Sequence, residues 1–131
     1  MTATLPTRNA EYGFYGSITT TPLRDRTSDA CWELATTRIA IATDCKSDTE
    51  MEGVRDFLDS RMGRHFGDEM VGRMSRGASI EHALNATIDQ WCKWTIGSKT
   101  EREEGIPASM PMLYGWVHHF AICAEAEDDA A

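Results

Sequence analysis

A mainly α-helical, compact single domain is predicted by three observations. Apolar residues recur at helical spacing through four segments, a serine suited to capping precedes several of them, and strand-like patterning is confined to the first residues. At 131 residues the chain matches one domain with a single core. We expect four to five helices preceded by a short N-terminal extended arm or β-hairpin.

Residues 1–10 carry Thr, Pro and Asn without periodicity and read as a flexible leader. From Glu11 to Thr20, Tyr12, Phe14, Tyr15 and Ile18 stand between glycines, which suits an extended arm or hairpin. Thr21-Pro22 ends that segment, because proline removes a donor and restricts the residue before it.

Ser28 is placed to cap a first helix whose apolar face holds Cys31, Leu34, Ala35, Ile39 and Ala42, widened by Trp32 and Ile41. Ser47-Asp-Thr-Glu50 has the form of a capping box, in which hydroxyl and carboxylate satisfy free amides at a helix start. The helix that follows presents Met51, Val54, Phe57, Leu58 and Met62, and Gly63 is expected to break or kink it. A short third helix carries Phe66, Met70, Val71 and Met74 as far as Gly77. Ser79 caps the fourth, whose stripe is Ile80, Leu84, Thr87, Ile88, Trp91 and Thr95, with Gly97 as its stop.

The polar run Ser98 to Gly105 reads as a loop or one exposed helical turn. Ser109 and Pro111 suit the first turn of a last helix burying Leu113, Trp116, Val117 and Phe120. Residues 11–124 therefore form the domain, and 125–131 an acidic, disordered tail.

A net charge of −8 opposes general binding to phosphate backbones or anionic lipid. No apolar run approaches the roughly 20 residues that span a bilayer, and Met1 to Ala10 lack a secretory leader's pattern, so no membrane association is expected. Cys31, Cys45, Cys92 and Cys123 match no zinc-ribbon or redox spacing. They read as reduced, buried small hydrophobes of a cytoplasmic protein.

Against that acidic background, Arg55, Arg61, Arg64, Arg73 and Arg76 gather in one glycine-interrupted stretch with His65. Gly63 and Gly67 flank Arg64-His65-Phe66, so a sharp turn there would set guanidinium and imidazole groups beside Asp59, Asp68 and Glu69. Such a group of charges suits a phosphate or a partner's carboxylate, and His65 near Asp68 has the parts of a general base. The competing explanation is a helix junction braced by ion pairs. Nothing nearby offers a nucleophile, so no catalytic residue is assigned. Arg73 and Arg76, three apart, share one side of the third helix. Asp56, Asp59, Asp68 and Glu69 nearly cancel the stripe's charge, which disfavours a nucleic-acid surface.

His119 and Cys123 stand four apart on the last helix, with His118 and Cys92 as conceivable companions, but further ligands at diagnostic spacing are missing. No metal or other cofactor is therefore expected. Trp94 lies to the side of the fourth helix's stripe and suits an exposed anchor for a partner, although tryptophan is usually buried.

The chain resembles a group of small uncharacterised proteins carried by proteobacterial plasmids and integrative conjugative elements. The resemblance rests on Val54-Arg-Asp-Phe-Leu-Asp-Ser-Arg-Met-Gly-Arg-His-Phe-Gly-Asp68, on Trp94-Thr-Ile-Gly97 and on Gly105-Ile-Pro107, with a weaker echo in Tyr12 to Gly16. It implies a bacterial cytoplasmic setting and accessory roles such as host-defence inhibition, plasmid maintenance or regulation. It assigns no residue a task.

The expectation is a non-enzymatic interaction protein that contacts a protein partner through Arg61, Arg64, His65, Arg73, Arg76 and Trp94. A nucleic-acid-associated accessory or regulatory factor is the alternative, and an enzyme centred on His65 the remote one. A homodimer is compatible with the sequence and is not specified by it.

Overall fold

A computed structural model of the chain describes residues 8–9, 14–15 and 21–130, with side chains from 21 to 127. Among the described residues the chain is mainly helical, as expected, but with six α-helices rather than four to five. They are α1 (Asp29–Ala42), α2 (Asp48–Asp59), α3 (Arg61–Ser75), α4 (Ile80–Lys93), α5 (Ser98–Glu104) and α6 (Met112–Ala130). A 3-10 turn at Leu23–Asp25 precedes α1. Two two-residue strands, β1 (Arg8–Asn9) and β2 (Phe14–Tyr15), pair antiparallel with Arg8 opposite Tyr15. So short a ladder is not the predicted arm, most of which lies outside the described residues.

The caps follow the sequence closely. Ser28 Oγ accepts from Cys31 N at 3.2 Å and Ser79 Oγ from His82 N at 3.1 Å. The Ser47–Glu50 capping box is complete, with Glu50 N donating to Ser47 Oγ and Ser47 N to Glu50 Oε1, each at 3.1 Å. The break between the second and third helices, however, falls at Ser60 rather than Gly63. Ser60 closes α2 with its amide on the Phe57 carbonyl and opens α3 by accepting from Gly63 N at 3.2 Å. Gly63 serves this corner by having no side chain, since a Cβ there would stand 1.9 Å from Phe57 O and 2.5 Å from Leu58 Cα.

Two further boundaries differ from expectation. The polar run from Ser98 is helix α5, and Gly97 stands at its start instead of ending α4. Gly105, at φ 76°, adopts the left-handed cap that stops α5. At the other end α6 continues to Ala130, so residues 125–130, expected as a disordered tail, form its last turns.

The principal packing is α2 against α6, where Gly53 meets Ala121 so closely that a Cβ would lie 2.7 Å from the Ala121 amide nitrogen. Helices α1 and α3 flank α2, and α4 packs against α1, α3 and α6. Phe57, Phe66 and Trp91 meet edge to face at the centre, with centroids 5.6 to 6.2 Å apart. All three are fully buried, as are Leu23, Ile39, Leu58, Met70, Leu84 and Leu113. Among the described residues no helix is long and apolar enough to cross a membrane. The four cysteines are free, yet only Cys31 is buried; Cys92 and Cys123 are exposed, which corrects their reading as core residues.

Candidate functional site

The arginine stretch divides into side chains that brace the fold and side chains that face outward. His65 belongs to the interior, at 4% exposure. This corrects its expected place on a contact surface: α3 begins two residues before the predicted break, and that phase turns His65 inward beside Phe66. Burial pushes the imidazole down to about 4, against a weaker upward pull from Asp68. Around neutral pH it is uncharged. Arg64 is half-buried, with its Nε shielded from solvent and making no hydrogen bond within the described residues.

Acidic neighbours are taken up from outside the stretch. Arg24 grips Asp59 through two bonds of 3.0 and 2.8 Å while lying over the Trp32 ring, and Arg26 Nη1 donates to Asp68 Oδ1 at 2.8 Å. The expected bracing by ion pairs is therefore present, with Asp59 and Asp68 held by arginines of the 3-10 turn and its exit. Arg73 reaches across to α4, donating to Thr87 Oγ1 at 2.8 Å and approaching Glu69 at 4.0 Å. Trp94 is half-buried and leans on Trp91 with ring centroids 6.0 Å apart, so only part of it is available to a partner.

Arg61 and Arg76 are exposed. Arg76 and Arg73 line a surface groove of about 270 Å³ together with Asp68, Glu69 and Gly72. Gly72 leaves its floor open, the nearest atom to a Cβ there being Arg76 Nη1 at 3.5 Å. One wall is fixed from within: Glu69 accepts from Trp91 Nε1 at 3.3 Å, and burial raises its carboxyl above the ordinary value. Among the described residues the Arg76 side chain makes no hydrogen bond or ion pair. The groove thus presents one uncommitted guanidinium beside carboxylates and a guanidinium held in place.

A second gathering of polar groups was not legible in the sequence. The α1–α2 connection, the first turn of α2 and α6 bring together Cys45, Glu50 and His118, whose ligand-type atoms all lie within 4.8 Å of one another. Asp44, at φ 58°, takes the left-handed position after α1, where Asp44 N and Cys45 N bond back to the Ile41 and Ala40 carbonyls at 3.3 and 2.9 Å. That turn delivers Cys45 beside the first turn of α2. The His119–Cys123 pair weighed from spacing does form, but loosely, at 4.0 Å on an exposed face.

No protein-family model, curated protein or solved structure matches this chain.

Proposed function

We propose that the chain is a non-enzymatic interaction protein that contacts a protein partner through the α3 groove. The observation that carries this reading is Arg76, an exposed arginine at the edge of a concave surface with no internal partner among the described residues. Arginine in a shaped site favours a partner's carboxylate, because its planar fork donates two parallel hydrogen bonds. Asp68 and Glu69 beside it make the groove mixed in charge, which suits a protein surface carrying both signs better than a uniformly negative phosphate backbone. The groove is lined by no serine, cysteine or histidine, and its geometry supports recognition better than covalent chemistry. On the resemblance noted from the sequence, we read the role as that of an accessory or inhibitor protein of a bacterial mobile element, acting in the cytoplasm.

Capture tests the reading. The full chain, Arg76→Glu and a charge-reversal control on α5, Arg102→Glu, are immobilised and exposed to extract of the native host. A protein retained by the wild type and Arg102→Glu but lost with Arg76→Glu supports it. Equal retention by all three, or selective recovery of nucleic acid, overturns it.

A further inference from the structure

We propose that Cys45, Glu50 and His118 form a binding site for a borderline divalent cation of the zinc class, with three protein ligands and one position left to water. The inference is independent of the groove on α3.

The three side chains stand with ligand-type atoms within 4.8 Å of one another, and the hydrogen bonds around Glu50 and His118 leave one ligand atom of each free of them. His118 Nε2 lies 2.6 Å from the backbone carbonyl of Thr43, an acceptor, so Nε2 carries a hydrogen, and in the neutral ring Nδ1 has the lone pair. A backbone carbonyl on the remote nitrogen is the usual partner of a metal-bound histidine, since it fixes both tautomer and ring direction. Glu50 Oε1 is occupied by the amides of Lys46 and Ser47 at 3.2 and 3.1 Å, which leaves Oε2. Those amide bonds hold the Glu50 carboxyl below its ordinary value, so it is ionised.

Glu50 Oε2 and His118 Nδ1 then face each other across 3.9 Å. Two acceptors at that separation have no proton to share unless the imidazole is charged, and a cation between them satisfies both. Neighbouring ligand atoms around tetrahedral zinc stand roughly 3.3 to 3.6 Å apart, as follows from bonds of about 2.0 to 2.3 Å. The 3.9 Å between Glu50 Oε2 and His118 Nδ1 needs a contraction of about 0.5 Å, and the three side chains, with ligand-type atoms within 4.8 Å of one another, must draw together around the ion. Cys45 completes the set, its sulfur 3.3 Å from Thr43 Oγ1. Thr43, fully buried at the end of α1, orients His118 through its carbonyl, while its hydroxyl donates to the Ile39 carbonyl at 2.7 Å and accepts from the Cys45 thiol.

Thiolate, imidazole and carboxylate together select zinc-like ions over magnesium or calcium, which take oxygen ligands. A groove of about 320 Å³, lined by Ser47, Thr49, Glu50, His118 and Glu125 among others, opens Glu50 and His118 to solvent and has room for a water. Cysteine ligates as the thiolate, so uptake of the ion displaces the thiol proton. Affinity therefore falls as pH falls.

The test is titration of the reduced full chain with Co²⁺ as a spectroscopic stand-in, followed by Zn²⁺ competition against a chromophoric chelator. One equivalent of Co²⁺ is expected to give tetrahedral visible bands and a near-ultraviolet sulfur-to-metal charge-transfer band. Cys45→Ser should abolish that charge-transfer band, and His118→Ala and Glu50→Gln should each weaken Zn²⁺ at least about tenfold. Glutamine keeps the capping box, so Glu50→Gln reports on the ligand with the helix start intact, and circular dichroism of each metal-free variant confirms folding. The double variant Cys92→Ser/Cys123→Ser should bind as the wild type does. Absence of saturable binding, or a sulfur band that survives Cys45→Ser and disappears with the double variant, overturns the proposal.

Discussion

The indole Nε1–H of Trp91 donates to Glu69 Oε2 across 3.3 Å, joining the aromatic centre of the core to one wall of the α3 groove. The contact accounts for a half-buried carboxylate on a helix of arginines, because the indole supplies a donor where water is partly excluded. It also makes the groove's shape depend on the packing of α3 against α4.

Replacing Glu69 by Gln keeps an acceptor for the indole and removes a charge that burial disfavours. Stability near neutral pH should change by no more than about 1 kcal/mol. Trp91→Ala, by contrast, removes the ring that Phe57 and Phe66 abut and should cost roughly 3–5 kcal/mol. Since the folded carboxyl sits above its unfolded value, the native state holds the proton more tightly in the interval between them. Its contribution is full below the ordinary carboxylate value and is lost as pH rises through the folded one. Denaturant melts across that interval should show this slope in the wild type and its absence in Glu69→Gln.

His65 acts in the opposite sense. Its folded value of about 4 lies below the ordinary 6.5, so between the two the unfolded chain binds more protons than the native state. The stabilisation is complete above 6.5 and is lost as pH falls toward 4. His65→Gln should flatten the acid limb of the stability profile, measured by chemical denaturation at a series of pH values. An unchanged acid limb would place the imidazole in water.

The glycines of α3 should separate into two kinds. A Cβ at Gly63 meets backbone of α2 that has nowhere to go, so Gly63→Ala should cost about 1–3 kcal/mol or more. At Gly72 the nearest atom is the mobile end of Arg76 at an ordinary contact distance. Gly72→Ala should therefore be neutral or gain up to about 1 kcal/mol from helix propensity. Thermal melts of the two variants make the comparison.

Local chemistry explains which features could be read from the chain. Ser28, Ser47, Glu50 and Ser79 act within three residues of themselves, and the stripe through Leu84, Ile88 and Trp91 needs only the period of one helix. Ser60 escaped notice because Gly63 is the stronger breaker by type, whereas its role is to admit the backbone of α2. The inward phase of His65 follows from that corner. The Arg24–Asp59, Arg26–Asp68 and Arg73–Thr87 contacts link separate elements, and no periodicity announces them. Cys45 lies in the α1–α2 connection and His118 on α6, so only the folded chain makes them neighbours.

Partner recognition at the α3 groove is most directly measured by hydrogen exchange of the full chain, alone and saturated with the captured protein. The account predicts slowed exchange over peptides spanning residues 68–76, with α5 unchanged, and loss of that protection when Arg76→Glu is mixed with the same concentration of partner. Protection confined to other elements, with residues 68–76 exchanging as in the free chain, would contradict it.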